Sequence, residues 1–485
     1  MKVNLTGGAT KRGEEGALHF RAGRVGLLAP FLVMFGGIVW LGLEGAALPE
    51  AFWPVVLLGL FVGLLAARNR KSYVEALIAG ASSPMLAIML FAWFLAGIFG
   101  ALLSAAGMVE GLVWLASQAH LSMAWFPLLA FLVSTVLSLS TGTSIGSLLV
   151  VTPVLFPVGF SLGADPLMMI GAFVGGAYVG DNLAPISDTT IVSAYTQGTQ
   201  VSRVVRSRIR YALAAGAMTL LSYALIALFS PAQPAVVSTA ERGDPGGLIM
   251  LLVPLFLVLL MVRGSHLIAA LFYTLFFGLA LGLLAQRLRP SDLFNIDSAH
   301  LSAGGVVIEG INSMLGIAVF SILLMGLVGV LEKGGFIEWL VRRAERFATD
   351  ATRAEVSIVG VTLLVNALTT AGTPSMIILG PFVRRLGHHF RITPWRRANL
   401  LDACSTSIIG FLPYSLSVLI PFSLVGGQVA GSQAAAGFSP VHAIPYVFYC
   451  WALLLTIVVA ALTGWGRDFL SEDAYREELR ELGGG

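Results

Sequence analysis

A chain of 485 residues that is 57% hydrophobic and only 11% charged lies outside the soluble globular range and reads as a polytopic helical membrane protein. Its net charge of +3 sits largely in arginines between apolar runs, so it reports membrane topology and gives no reason to expect a nucleic-acid partner. The two cysteines, Cys404 and Cys450, lie in or beside apolar runs and suggest neither a disulfide framework nor a metal site.

The polar N-terminal stretch, residues 1–24, lacks the short apolar core of a cleavable signal and is expected to be a cytoplasmic tail. Apolar windows then predict helices over 25–43, 51–67, 84–104, 122–139, 147–161, 167–195 (broken near Pro185) and 209–229, which make up a first transmembrane repeat, 25–229. A polar linker, 230–246, is expected on the extracytoplasmic side. A second repeat, 247–465, follows with windows at 247–262, 267–285, 313–331, 355–369, 375–388, 395–424 (broken near Pro413) and 441–465. The charged residues 466–485 form a cytoplasmic tail, a surface helix at most. Glu110 and Glu338, after the third long helix of each half, are expected on short surface helices.

The halves match in more than number. Pro153, Gly159, Pro166, Pro185 and Ser187 recur at one constant offset as Pro381, Gly387, Pro394, Pro413 and Ser415. Apolar helices resemble one another by composition, but that does not explain shared proline and glycine spacing. Basic residues then orient the halves oppositely, since short cytoplasmic loops carry excess Lys and Arg. Residues 105–121 have none, whereas the matching 333–353 has Lys333, Arg342, Arg343, Arg346 and Arg353. After the broken helix the bias reverses, with Arg203, Arg206, Arg208 and Arg210 in the first half and none over 425–443. The expected fold class is therefore an all-α polytopic membrane protein of two inverted-topology repeats, about seven helical segments each, with paired hairpins and broken helices. Both termini are expected in the cytoplasm, in a cytoplasmic (inner) membrane.

The chemistry concentrates at Gly175–Tyr195, GGAYVGDNLAPISDTTIVSAY. No Lys or Arg occurs between Lys71 and Arg203, so Asp181 and Asp188 lack a sequence-local cation. A carboxylate in hydrocarbon must face a cavity, hold a cation or be protonated. Pro185 breaks the helix between the two acids, and irregular backbone at membrane depth is tolerated only where it lines a buried or wet cavity. Asp181, Asn182, Ser187, Asp188 and Thr189 thus form a candidate cation and proton site, with sodium at Asp181 and Asp188; Ser187 or Asp188 also fits as an ordinary helix N-cap. Two hairpin turns, Ser140–Ser144 (STGTS) and Thr369–Ser375 (TTAGTPS), supply Thr141, Gly142, Thr143 and Ser144, and Thr370, Gly372 and Thr373, as candidate binding tips. Ordinary turns also favour glycine and threonine. The second broken helix keeps Pro413 but has Ile409 and Leu416 where the first has its acids, so one repeat carries the charge. Asp402 is expected to pair with Arg396 or Arg397 at the membrane edge. No phosphate-binding loop, zinc-ligand spacing or nucleophile elbow is present, which argues against an ATP-driven pump or a membrane hydrolase; the protein is read as no enzyme and as needing no cofactor.

At GGAYVGDNLAPISDTT, with the earlier TGTS and the following RSRIRYAL, the chain resembles the NhaC-type sodium/proton antiporter family of bacteria, part of a wider ion-transporter superfamily. The resemblance implies a secondary carrier with Asp181 and Asp188 at the ion site, and a mobile part bearing the two hairpins. The chain departs from the family pattern at Asn182, where a basic residue is usual, and at Ala184. The expected function is exchange of sodium (or lithium) for protons by alternating access. The partners are then membrane lipid, the sodium ion and the proton, and a homodimer is left open. The alternative is a sodium- or proton-coupled carrier of a small organic anion or amino acid, as in malate/lactate exchange, and an ion channel is the reading from another class.

Overall fold

A computed structural model describes residues 18–119, 123–230, 244–297 and 302–481. Most of the expected N-terminal tail and most of the linker lie outside the described residues. Among the described residues, ten helices are long and apolar enough to cross a membrane, or up to 12 spans if each of two bent pairs counts as one. The protein is a multi-pass membrane protein.

The first half begins with α1 (Gly23–Leu43) and α2 (Trp53–Ala66), followed by α3 (Arg70–Ala81), α4 (Pro84–Ala105) and the short α5 (Met108–Ala119). A hairpin of α6 (Phe126–Thr141) and α7 (Ser144–Ser161) leads to a broken helix, α8 (Pro166–Leu183) and α9 (Asp188–Thr196), and then to the long α10 (Val201–Phe229). In the second half come α11 (Leu252–Val262), α12 (Leu267–Leu284), a single turn α13 (Pro290–Leu293), and a two-stranded ribbon of β1 (Asn295–Asp297) and β2 (Ser302–Gly304). The order of the first half then returns as α14 (Val306–Lys333), α15 (Phe336–Phe347), hairpin α16 (Ala351–Thr369) and α17 (Gly372–His389), and broken helix α18 (Pro394–Gly410) and α19 (Leu416–Val429). A short α20 (Pro440–Ala443), α21 (Phe448–Thr463) and the terminal α22 (Glu472–Glu481) close the chain.

Local chemistry sets the starts of these helices. Ser83 and Asp165 accept hydrogen bonds from the backbone N–H groups of Leu86 and Met168, and Pro84 and Pro166 follow at the first helical position, where no donor is needed. Thr143 caps α7 through the N–H of Gly146, and Asp350 caps α16 through that of Arg353.

Glycine contacts show how the halves meet. Gly97 of α4 lies against the backbone of Gly310, and Gly80 of α3 against that of Gly329, so α14 runs opposite in direction to the successive helices α3 and α4. Equivalent helices meet in this way when the two-fold axis lies in the membrane plane, as inverted repeats require. The same close packing brings α6 onto α8: Gly180 faces the backbone of Ser138 and Leu139, and Ser134 and Ser138 donate to the carbonyls of Phe173 and Ala177. A methyl group at Gly180 has no room, so Gly180→Ala lowers the unfolding temperature in detergent, an overpacking cost of about 1–3 kcal/mol; an unchanged temperature would contradict this packing.

Two expectations are corrected here. The helix α10 begins eight residues before the apolar window, so Arg203, Arg206, Arg208 and Arg210 lie within it and not in a loop. The C-terminal tail is more than a free surface helix. Glu478 of α22 pairs with Arg397 at 2.6 Å and Arg384 at 3.3 Å, and Tyr475 stacks on His388 with ring centres 4.4 Å apart. Phe469 forms a β-bridge with Ile392, which fastens the tail to the turn between α17 and α18.

Candidate ion site

The two hairpin tips and both helix breaks converge on one cavity of about 130 Å³. Its wall includes Thr143 and Ser144 from the first hairpin and Thr369 to Thr373 from the second. Asp181, Asp188 and Thr189 come from the first broken helix, and Ile409, Leu416 and Ser417 from the second. One wall therefore carries two acids and the repeat-related wall carries none, with Ile409 and Leu416 in their places, the asymmetry expected from the sequence.

The hairpin tips are built alike. Gly142 adopts a left-handed backbone (φ +69°) and its counterpart Thr370 does the same (φ +50°). For threonine that conformation costs of order 1–2 kcal/mol and is held only by its surroundings. Behind each turn a threonine hydroxyl meets a serine hydroxyl, Thr141 with Ser147 at 3.0 Å and Thr369 with Ser375 at 2.8 Å. Thr141 and Gly142 thus shape the first tip without lining the cavity, whereas Thr143, Ser144, Thr370, Gly372 and Thr373 line it.

At the first break α9 turns away from α8 by 42°. Pro185 supplies no donor there, and Ala184 is the last residue bonded back into α8, through Gly180. Asp181 is buried, 3% exposed, and accepts from Ser144 Oγ at 2.8 Å and from Ser187 Oγ at 2.5 Å. Ser187 also meets Thr189 Oγ1 at 2.9 Å. Asp188, on the open side, accepts from Thr373 Oγ1 of the opposite hairpin at 2.7 Å. Ser187 occupies the N-cap position of α9 but makes no side-chain cap bond. Its counterpart Ser415 does cap, accepting from the N–H of Val418. The ordinary capping role therefore describes Ser415, and Ser187 is turned toward Asp181 instead. Pro413 keeps the second break, and among the cavity residues the hydroxyl of Tyr178 joins that of Ser417 across the halves.

Asn182 lies elsewhere. It is fully buried outside the cavity wall, and its amide donates to Tyr449 OH at 3.1 Å. Asp402 is also placed differently from expectation: it sits in the interior and pairs with Arg208 at 2.6 Å, both side chains inaccessible to solvent. Arg396 pairs with Glu355 and Arg397 with Glu478. A hydropathy window places Arg208 among loop arginines and Asp402 beside Arg396 and Arg397, so it gives no signal for a pair that joins the two halves. Among the described residues, no Lys or Arg nitrogen pairs with Asp181 or Asp188.

A comparison of whole sequences identifies the family. The model of the Na+/H+ antiporter family matches residues 24–228 and 245–465. The chain belongs to the Na+/H+ antiporter family. It is 22% identical over 465 residues to an uncharacterized Na(+)/H(+) antiporter of Haemophilus influenzae, covering 90% of this chain and 95% of that protein. It is 23% identical to the malate-2H(+)/Na(+)-lactate antiporter of Bacillus subtilis, over 87% of this chain and 89% of that one. It is also 22% identical to the Na(+)/H(+) antiporter NhaC of Alkalihalophilus pseudofirmus, over 64% and 70% of the two chains. The resemblance read at GGAYVGDNLAPISDTT thus extends through both halves of this Na+/H+ antiporter family member.

Proposed function

We propose that the protein exchanges sodium (or lithium) for protons across the bacterial cytoplasmic membrane by alternating access, with both termini on the cytoplasmic side. Asp181 and Asp188 form the cation and proton site, and Ser144, Ser187, Thr189 and Thr373 supply neutral oxygens around it. The observation that carries this reading is that both acids line one cavity and, among the described residues, have hydroxyl partners and no cationic one. A carboxylate pair without a fixed counter-charge takes a mobile one, and a hard cation and a proton compete for it. Occupancy by one expels the other, which couples the two fluxes.

The test is sodium-induced proton movement in proteoliposomes, read by a trapped pH dye. Asp188→Asn, folded and reconstituted, abolishes the signal, and Thr373→Ala raises the sodium needed for half-maximal exchange about fivefold, the equivalent of one lost hydrogen bond. Undiminished exchange in Asp188→Asn would sink the reading. One observation favours an organic anion as a second cargo: the N-terminal turns of α7 and α17 both border the cavity, at Ser144 and Gly372, and helix N-termini attract anions. A thermal-shift screen of organic acids and amino acids, with and without sodium, separates the two readings.

A further inference from the structure

Next to the cavity, linked to it through Thr406, lies a charged pair that the exchange reading does not use. Arg208, on α10, and Asp402, on α18, are both fully buried and joined at 2.6 Å. The guanidinium does more than neutralise the carboxylate. Its Nη1 donates to the carbonyl of Asn182 at 2.6 Å and to Thr190 Oγ1 at 3.0 Å, and its Nε donates to Asn399 Oδ1 at 2.9 Å. Asn182 follows Asp181 directly in the last turn of α8, whose carbonyls lose their helical donors at the break. Thr190 stands two residues past Asp188 in the first turn of α9. One nitrogen therefore grips both arms of the broken helix. On the other side, Asp402 accepts from Ser193 of α9 at 3.3 Å and from Thr406 at 3.2 Å, and Thr406 lines the cavity.

We propose that Arg208, anchored by Asp402, is a positioning residue for ion binding: a clamp that fixes the two arms of the break so that Asp181 and Asp188 face the same cavity. This rests on the reading that those two carboxylates hold the cation. Because the clamp carries its own counter-charge, it adds no net charge next to the site. Its planar fork is the essential feature: a lysine ammonium at the same place can meet Asp402 but cannot reach α8, α9 and Asn399 together.

The test uses the full-length protein with Arg208→Lys, and the double variant Arg208→Gln/Asp402→Asn, which strands no buried charge. In proteoliposomes Arg208→Lys raises the sodium concentration for half-maximal exchange at least about tenfold and lowers the maximal rate far less, as expected when binding geometry is lost. In hydrogen–deuterium exchange, amides over 184–190 exchange at least about tenfold faster than in the parent, and those of α6 keep their rate. An unchanged sodium requirement in an actively exchanging variant would overturn the proposal. If the parent itself shows no response to sodium, the cation reading fails and amide exchange alone decides: faster exchange at the break keeps the clamp, unchanged exchange removes it. If neither variant folds, the pair is a folding element and the positioning role falls.

Discussion

Asp181→Asn eliminates sodium-driven proton movement, with a fall of at least about a hundredfold. At a separation near 4 Å and an effective dielectric of about 20, a unit charge pair is worth roughly 4 kcal/mol, which is more than a hundredfold in cation affinity. Asparagine keeps the shape of the side chain and can still meet Ser144 and Ser187, whose hydroxyls rotate to accept as well as donate. Folding is therefore retained, and loss of exchange reports the missing charge. Asp181 is held in the interior by both the first hairpin and the break, whereas Asp188 stands on the open side. Dye-loaded proteoliposomes and an unfolding curve of the same preparation make the measurement. Exchange within twofold of the parent would remove Asp181 from the mechanism.

The second large effect concerns stability. Glu355 is fully buried, bound by both arms of the Arg396 guanidinium at 2.8 and 2.9 Å and by Arg467 at 2.9 Å. Arg396 continues to the carbonyls of Ala460 and Trp465, and Arg467 to that of Ala461 and to Thr352, so this single carboxylate ties α16, α18 and the end of α21 together. Glu355→Gln leaves two guanidinium groups without a counter-charge, and removing one partner of a buried ion pair costs about 3–5 kcal/mol. A marked drop in unfolding temperature in detergent is the expected result. Arg353→Ala, which removes an exposed partner of Asp350, serves as the control and leaves that temperature unchanged within error.

The architecture was largely legible in the sequence because it rests on signals that survive without tertiary information. Apolar length marked the spans, proline spacing marked the repeat, and the isolation of Asp181 and Asp188 from basic residues marked the cavity. Less legible was whatever depends on a polar residue's direction. Asn182 stands beside Asp181 in sequence, yet its position on the helix turns it to Tyr449. Asp402 stands near Arg396 and Arg397 in sequence, yet α18 carries it to Arg208 from the other half. A hydropathy window also sees the basic first turns of α10 as loop, because charged residues lower its mean even where the backbone stays helical. Tyr178 and Ser417 escaped notice for a related reason: each is unremarkable in its own segment, and only their meeting makes them a cavity wall.

The pairing of an acidic wall with Ile409 and Leu416 has a kinetic consequence. Exchange of the roles of the two repeats would interconvert the two facings if the halves were identical, and the cargo would meet equal surroundings from either side. Here the duplicated scaffold has been decorated unequally, so the surroundings of the cargo differ between the two repeats. Thermodynamics still fixes the direction of net flux by the gradients alone, but the half-saturating sodium concentration measured from one side of the membrane need not equal that from the other. The carrier can thus be tuned for loading at one face and unloading at the opposite face without any change in its reversibility.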